Sequence, residues 1–269
     1  MTIVALSDVH LGFDRSNSKE FLEFLRQLQN RDDLEDFVIV GDFIDLWRRD
    51  VIGLEFELSK YIEELKILQK NVNIHYVIGN HDFHLRSLKN HGYPFEFKDS
   101  LLLERFGYKI RFLHGYQCDP IQNLLGPDTS EILCWTLSDD AGEMKSRLGE
   151  ILCPKLNISR EDLEEKIELL KSLPEDPARR MEFSKVGRVS DFIDCIKANF
   201  KITDDEEFIV YGHTHRPFVD TEKRVANTGC WIKDSEYTNT YFEFKEWPPR
   251  IVEFKGKEIK STAITSLEF

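Results

Sequence analysis

The sequence has few cysteines, and they show no pattern of paired metal ligands. The five cysteines of the 269-residue chain are an odd number, and no two of them form a Cys-x-x-Cys pair. Such a set argues against a disulfide framework and against a compact zinc knuckle. We therefore expect buried or free thiols in a reducing compartment at all five positions: Cys118, Cys134, Cys153, Cys195 and Cys230.

Long apolar runs are also missing. No stretch approaches the roughly 18 to 20 residues that a membrane span needs. The first ten residues, MTIVALSDVH, carry no basic residue before the apolar run and reach an aspartate at position 8, which is unlike a signal peptide. These absences predict a cytoplasmic protein without a transmembrane segment.

Positive charge is scarce relative to negative charge. The chain has 36 lysines and arginines against 49 aspartates and glutamates, a formal net charge of -13. A surface of this sign repels polyanions, so we expect no stable nucleic-acid partner. A hydrophobic content of 41% with 32% charged residues is typical of a globular protein.

Short apolar runs alternate with helical patterns in the first part of the chain. Apolar residues recur at helical spacing over 18–28 and 54–68. Near-continuous apolar strands separated by helices are typical of sheets buried on both faces, which predicts an α/β layered fold. The runs of the β type are residues 3–6, 37–40, 74–78, 110–113 and, much later, 208–211.

Residues 118–202 show helical periodicity without strands, interrupted by Pro174 and Pro177. The strand pattern resumes afterwards, and runs at 224–227, 240–245 and 250–255 predict antiparallel strands. We therefore predict one domain over residues 1–269 with a helical cap insertion at about 118–202.

Side chains that bind metals or transfer protons follow each of the five apolar runs. Taken singly, each motif is also explained by a polar turn. Five of the eight histidines lie at these strand ends, however, and ligands of α/β folds gather there. The combination favours one shared site, made of Asp8, His10, Asp42, Asn80, His81, Asp82, His114, His213 and His215.

The spacing of these residues suggests how they meet. On an extended segment alternate side chains point to the same side, so Asp8 with His10, and His213 with His215, each offer two donor atoms. Carboxylate, imidazole and amide ligands together suit Mn²⁺, Fe²⁺ or Zn²⁺. Two cations about 3.5 to 4 Å apart form a clamp for in-line attack on phosphorus, and Asp42 is a candidate to bridge them.

In this order, the motifs SDVHL, GDFID, GNHD, HG and GHTH resemble the calcineurin-like metallophosphoesterase superfamily, over residues 3 to about 231. The resemblance implies a four-layer α/β/β/α sandwich of two mixed β-sheets with flanking helices. It also implies that His81 lies beside the metals as a proton donor or phosphate contact, with Asp82 holding its ring. The implied ligands are Asp8, His10, Asp42 and His215 for one metal, and Asp42, Asn80, His114 and His213 for the other.

The segments GHTHRPF and NTGCW partially resemble the branch that contains the UDP-diacylglucosamine pyrophosphohydrolases. The chain departs from that branch at two motifs, since it has GNHD where the branch reads GNRD. It also has Tyr116 where the branch has the aspartate of HGD. Because of these departures, the lipid-precursor substrate of that branch is not carried over.

The expected function is a dinuclear metal-dependent phosphoesterase. It would hydrolyse a small phosphodiester, pyrophosphate or phosphomonoester by attack of a metal-bound hydroxide, with two Mn²⁺ ions expected and Fe²⁺ or Zn²⁺ as alternatives. One alternative function is a metal-dependent nuclease, which shares GNHD but needs a basic track for DNA or RNA. The other is a non-catalytic scaffold of the same fold, which would lose metal ligands that this chain keeps.

Other polar or aromatic residues near the motifs have simpler interpretations. Asp45 is read as a helix N-cap or first-turn carboxylate rather than as a functional group. Arg86 and Arg216 are read as surface arginines rather than as phosphate contacts. Trp135 is read as a packing residue of the cap, with an apolar substrate pocket as the alternative.

Overall fold

The structure is a computed structural model that describes residues 1–49, 51–90, 96–119, 189–204, 206–233, 235–255 and 258–259, with positions 159, 161, 162 and 165. Its strands, in chain order, are β1 (Thr2–Leu6), β2 (Leu34–Val40), β3 (Asn73–Val77), β4 (Phe97–Lys98), β5 (Ser100–Arg105), β6 (Tyr108–Leu113), β7 (Phe208–Tyr211), β8 (Phe218–Asp220), β9 (Val225–Asn227), β10 (Thr240–Phe244), β11 (Arg250–Glu253) and β12 (Glu258–Ile259).

Within the described residues these strands form two mixed sheets. The first has the order β12-β11-β10-β1-β2-β3-β4, with β1 to β4 parallel and β10 antiparallel to β1. The second has the order β5-β6-β7-β9-β8, with β6, β7 and β9 parallel. The apolar runs predicted as strands are thus confirmed, and the edges of the two sheets are β12 and β4 in the first and β5 and β8 in the second.

The helices of the described chain are α1 (Ser18–Leu28), α2 (Val51–Leu68) and α3 (Val189–Phe200), with 3₁₀ turns at Phe83–Asn90 and Tyr116–Cys118. In α1 the apolar residues fall three and four positions apart, so one face of the helix is buried. That face consists of Phe21, Phe24, Leu25 and Leu28, which confirms the predicted stripe.

Each face of the first sheet buries its own set of side chains, because successive residues of a strand point in opposite directions. Val4 and Leu6 of β1 pack with α1 and α2, whereas Ile3 and Ala5 pack with the second sheet. Each fully buried Val, Leu or Ile side chain contributes about 1.5 to 3 kcal/mol to the free energy of folding.

The outer face of the second sheet is covered by α3. Phe192 and Ile196 of this helix pack against Ile209 and Tyr211 of β7. The order of layers is helices, sheet, sheet, helix, which confirms the predicted four-layer α/β/β/α sandwich.

Cysteine pairing differs from the sequence-based expectation. Cys118 and Cys195 form a disulfide with Cα atoms 6.0 Å apart, whereas Cys230 is a buried free thiol. The expectation of thiols throughout is therefore wrong for Cys118 and Cys195. Packing of α3 on the second sheet brings together two side chains that lie 77 residues apart in the chain. Cys134 and Cys153 lie outside the described residues.

Most of the predicted cap lies outside the described residues, since only four positions between 120 and 188 are described. Trp135 lies there as well. The two described ends of the 118–202 segment are helical, and they pack onto the second sheet. Among the described helices, none combines the length and the apolar character that a membrane crossing requires.

Candidate active site

The predicted site residues follow the carboxyl ends of neighbouring strands. Asp8 follows β1, Asp42 follows β2 and Asn80 follows β3, while His114 and His213 follow β6 and β7 of the other sheet. All five side chains are buried. The two sheets meet at this end, because the His213 N–H donates to Oδ2 of Asp8 at 2.9 Å.

The backbone of these loops is held in an uncommon conformation. Ten non-glycine residues of the described chain have positive φ, and half of them belong to the site: Asp8 (54°), His10 (50°), Asp42 (52°), His213 (66°) and His215 (59°). The expectation of extended D-x-H and H-x-H segments is therefore wrong. Left-handed residues cost about 1 to 3 kcal/mol each and cluster at functional sites, where the surrounding structure fixes them.

Backbone hydrogen bonds between the loops fix this conformation. The N–H of Asp8 donates to the carbonyl of Gly41 at 3.1 Å, and the N–H of His10 donates to the carbonyl of Asp42 at 2.9 Å. Gly79 allows the third loop to approach, because a Cβ at that position would overlap the backbone nitrogen and the carboxylate of Asp42. The three loops therefore contact one another directly.

The first cluster of metal-competent groups is Asp8, His10 and His215. Oδ1 of Asp8 lies 3.1 Å from Nε2 of His215 and 3.7 Å from Nε2 of His10. These groups belong to the set that the resemblance assigns to one metal.

The second cluster is Asp42, His114 and His213. Nε2 of His114 lies 3.1 Å from Oδ2 of Asp42, and the same oxygen lies 3.8 Å from Nε2 of His10 in the first cluster. Asp42 thus belongs to the second cluster and also approaches the first, where a bridging ligand would be needed.

The residues of both clusters fit a divalent cation. Nδ1–H of His10 donates to Asp45 at 3.0 Å, and Nδ1–H of His114 donates to the carbonyl of Val40 at 2.7 Å. In each neutral ring the lone pair is then on Nε2. Both Nε2 atoms are buried, and neither has a hydrogen-bond partner among the described residues. Buried imidazole lone pairs beside carboxylates are the donor set of Mn²⁺, Fe²⁺ and Zn²⁺ sites.

The close approach of histidines and carboxylates shifts the pKa values of the site in the cation-free protein. Burial opposes a charge on His10, but the hydrogen bond that His10 donates to Asp45 and the nearby carboxylate of Asp8 outweigh it and raise the pKa of His10 to about 10. Burial is likewise outweighed at His114, where the charges of Asp42 and Asp8 raise the pKa to about 9. In return, His114 helps to hold the pKa of Asp42 low despite its burial. Without a cation, protons on the His10 and His114 rings thus supply the positive charge beside these carboxylates.

Asn80 is buried and lies three residues after the end of β3. Its side-chain oxygen is a neutral donor of the type that hard or borderline cations accept. Its role as a ligand stays a prediction, as do the roles of the other proposed ligands.

His81 lies beside the first cluster, with its ring centroid 4.6 Å from that of His10. The indole of Trp47 stacks on the His81 ring at 3.8 Å, with 25° between the planes. Nδ1 of His81 lies 3.1 Å from Oδ1 of Asp45. Burial lowers the pKa of His81 to about 4 against the opposing charges of Asp45 and Asp42, so the substrate-free ring is neutral at pH 7.

The expectation that Asp82 holds the His81 ring is wrong. The Asp82 carboxylate accepts hydrogen bonds from the backbone N–H of Phe43 and Gly79 and from the Tyr76 hydroxyl. Its role is to fix the loops that carry Asp42 and Asn80. The carboxylate that contacts Nδ1 of His81 is instead that of Asp45, on the neighbouring loop.

Asp45 is the site residue that sequence reasoning undervalued. It does cap a turn, since Oδ1 accepts from the N–H groups of Trp47 and Arg48 at 3.2 and 3.1 Å. The same carboxylate also contacts both His10 and His81 and accepts from Nη1 of Arg48 at 2.7 Å. The signal in the sequence was a second aspartate three residues after Asp42, at one end of GDFID.

The two arginines considered from the sequence lie differently. Arg86 contacts Asp99 at 3.0 Å and is half-exposed, as expected of a surface residue. Arg216 is partly buried next to His215. Arg48, which the sequence analysis did not single out, is the cation that contacts Asp45 beside His81.

Several solved structures align with this chain at low sequence identity. A dimetal phosphatase from Danio rerio is 11% identical with a TM-score of 0.49, covering 97% of this chain and 98% of that chain. An archaeal phosphodiesterase is 16% identical with a TM-score of 0.45, covering 94% and 99%. A cold-active protein-tyrosine phosphatase from a psychrophilic Shewanella is 16% identical with a TM-score of 0.42, covering 97% and 80%.

No curated protein matches the chain. The family model described as calcineurin-like phosphoesterase matches residues 1–217, about four fifths of the 269 residues. The matched region contains every strand-end motif from Asp8 to His215. The chain belongs to the calcineurin-like phosphoesterase family.

Proposed function

We propose that this protein hydrolyses a small phosphoester with the help of two divalent cations. The observation that carries the proposal is the pair of His/Asp clusters that meet at Asp42. One cluster would hold one cation and the other would hold the second, with the carboxylate of Asp42 shared between them. The proposed cations are Mn²⁺, with Fe²⁺ and Zn²⁺ as alternatives of similar ligand preference.

The proposed ligands are the residues that the family resemblance assigned. They are Asp8, His10, Asp42 and His215 for one cation, and Asp42, Asn80, His114 and His213 for the other. When bound, the cations would supply positive charge beside the phosphoryl oxygens and lower the pKa of the attacking water. The protein contributes a fixed donor set, because positive φ and inter-loop hydrogen bonds hold its ligands in place.

His81 is proposed as the residue that transfers a proton to the leaving oxygen. Its Nδ1–H is held by Asp45, so Nε2 is the nitrogen that exchanges a proton with the substrate. The neutral ring of the substrate-free protein would gain a proton when a phosphate anion lies beside it, because negative charge favours the imidazolium. Stacking on Trp47 and the contact with Asp45 keep the ring oriented for this step.

The proposed substrate is a small phosphodiester, pyrophosphate or phosphomonoester. The net charge of -13 supports a small substrate, since a long polyanion would need a cationic track. The predicted cap, residues 118–202, would select the non-phosphate part of the substrate. A cytoplasmic location and the absence of a stable nucleic-acid partner stay part of this proposal.

The proposal is tested by metal analysis and a substrate panel. We expect about two equivalents of divalent cation per chain after loading with Mn²⁺, and hydrolysis of bis-p-nitrophenyl phosphate, p-nitrophenyl phosphate or a nucleotide-sugar pyrophosphate. Asp42→Asn should lose affinity at both sites and orders of magnitude in activity, because a neutral amide cannot offset two divalent charges.

Asp220→Asn is a control for the change of an aspartate to its amide, since Asp220 lies on β8 outside the site. It should keep both cations and full activity. A fully loaded and fully active Asp42→Asn protein would refute the bridging role. Preferred, salt-sensitive cleavage of DNA would favour the nuclease alternative, and failure to bind cations or to hydrolyse any ester would favour the scaffold.

A further inference from the structure

We propose that Asp119 is a positioning residue of the second cluster. It holds the His213 ring by accepting a hydrogen bond from Nε2–H, which leaves Nδ1 as the nitrogen that faces the cation. This inference rests on the proposed role of His213 as a metal ligand. Asp119 belongs to none of the five strand-end motifs, and no assignment made from those motifs includes it.

The contact itself is short and buried. Oδ2 of Asp119 lies 2.9 Å from Nε2 of His213, and both residues are at most 3% exposed. An ionised carboxylate only accepts hydrogen bonds, so the ring nitrogen must carry the hydrogen. A neutral imidazole has one N–H, and the lone pair of His213 is therefore on Nδ1.

Two other imidazoles of the site are also held by an acceptor at one ring nitrogen, but at Nδ1 rather than Nε2. His10 and His114 are held at Nδ1, by Asp45 and by the Val40 carbonyl, and each directs a buried Nε2 into the site. His213 is held at Nε2 instead. In each case an acceptor fixes the hydrogen on one nitrogen and so places the lone pair of the neutral ring on the other, which is how outer carboxylates and carbonyls orient metal-binding histidines.

Tertiary structure fixes the position of Asp119. After His114 the chain turns at Gly115, whose φ of 103° favours glycine, and forms the 3₁₀ turn Tyr116–Cys118. The N–H of Asp119 donates to the Tyr116 carbonyl at 3.0 Å. Cys118 is fully buried and joined by a disulfide to α3. The turn that precedes Asp119 is thus anchored by a backbone hydrogen bond and by the disulfide, with the Asp119 carboxylate directed at His213.

The first measurement needs no variant. In uniformly ¹⁵N-labelled wild-type protein loaded with Zn²⁺, which is diamagnetic, two-bond ¹H–¹⁵N spectra report which nitrogen of each histidine carries the hydrogen. We expect an Nε2–H tautomer for His213 with Nδ1 shifted by the metal, and Nδ1–H tautomers for His10 and His114. Coordination of Zn²⁺ by Nε2 of His213 would overturn the inference.

The second measurement compares cation affinities by calorimetric titration with Mn²⁺. Asp119→Ala should weaken one of two equivalents about 10- to 100-fold, the usual cost of losing an outer partner of a metal-binding histidine. Asp119→Asn should recover part of that loss, because its amide oxygen can still accept from Nε2–H. Asp36→Asn is a matched control, since Asp36 is a buried carboxylate 2.8 Å from Nε2 of His75 outside the site. It should leave both affinities unchanged.

His213→Ala separates this inference from the proposed function. If His213→Ala keeps both equivalents at wild-type affinity, the metal-binding role of His213 fails. If His213→Ala loses one equivalent while Asp119→Ala binds both at wild-type affinity, only the role of Asp119 is refuted. Should Asp119→Ala not fold, the tautomer of the wild-type protein and the affinity of Asp119→Asn decide the matter.

Discussion

Replacement of Asp45 by asparagine should weaken one cation site and spare the other. Oδ1 of Asp45 accepts from the backbone N–H groups of Trp47 and Arg48 and lies 3.1 Å from Nδ1 of His81. These donors should keep the amide oxygen of the variant at the Oδ1 position. The amide nitrogen then replaces Oδ2, where it faces Nδ1–H of His10 and the Arg48 guanidinium, both of which are donors.

The size of the effect follows from these contacts. His10 loses its acceptor, so the affinity of the site that contains Asp8, His10 and His215 should fall about 10- to 100-fold, or about 1.4 to 2.7 kcal/mol. The second site contains no ring held by Asp45 and should bind as in the wild type. His81 keeps an acceptor but loses the neighbouring negative charge. At saturating cation, kcat should therefore fall by less than the 10²- to 10⁴-fold expected for complete loss of a general acid.

Calorimetric titration with Mn²⁺ and steady-state kinetics at saturating Mn²⁺ measure the two effects separately. Asp220→Asn is the matched control, because Oδ1 of Asp220 accepts from the N–H groups of Glu222 and Lys223. It reproduces the turn-capping role of Asp45 without a histidine contact. Equal weakening of both sites in Asp45→Asn, or unchanged affinity at both, would refute the assignment of Asp45 to His10.

Three further predictions follow from the same geometry. His81→Ala should keep both cations and lose about 10²- to 10⁴-fold in rate on esters with basic leaving groups, with a smaller loss on p-nitrophenyl esters. Loss of a cation, or equal rate losses on both kinds of ester, would count against the role of His81 as a proton donor. Cation binding at pH 7 should release protons, because the pKa values of His10 and His114, about 10 and about 9 in the cation-free protein, keep both rings charged. The charged rings stabilise the folded, cation-free protein fully below about pH 6.5, and this stabilisation is lost as the pH rises through about 9 and 10. Because protons compete with the cation for these rings, cation affinity should increase with pH up to that range. Calorimetry in buffers of different ionisation enthalpy counts the released protons, and a count near zero would contradict the prediction. Replacement of residues 120–188 by a short linker, which keeps Cys118, Asp119 and α3 in the chain, should change the ranking of substrates by kcat/KM. An unchanged ranking in a folded, cation-loaded variant would refute the role of the cap in selecting the substrate.

Much of the fold was predictable from local sequence. Strands buried on both faces require apolar runs, and these runs end where the strands give way to the loops that carry the site. The runs before Asp42 and His213 show this directly, since they end abruptly at Gly41 and Gly212. The same local signals located the histidines that meet in the two clusters, because carboxyl ends of adjacent parallel strands lie together.

The partners of those histidines were not predictable in the same way. Asp82 adjoins His81 in the sequence and seemed the natural partner, yet Asp45, 36 residues away, makes the contact. His213 is held by Asp119, 94 residues away, and Cys118 pairs with Cys195 across 77 residues. No local pattern encodes such pairs, since each one depends on how two loops or layers pack.

Sequence alone therefore determined which residues gather at the strand ends, because strand periodicity and strand termination are local properties of the chain. Only the tertiary structure decided which nitrogen of each ring is held and which is left for a cation. That choice depends on the acceptor that another loop places beside the ring, and on the left-handed turns at Asp8, His10, Asp42, His213 and His215 that direct the side chains inward.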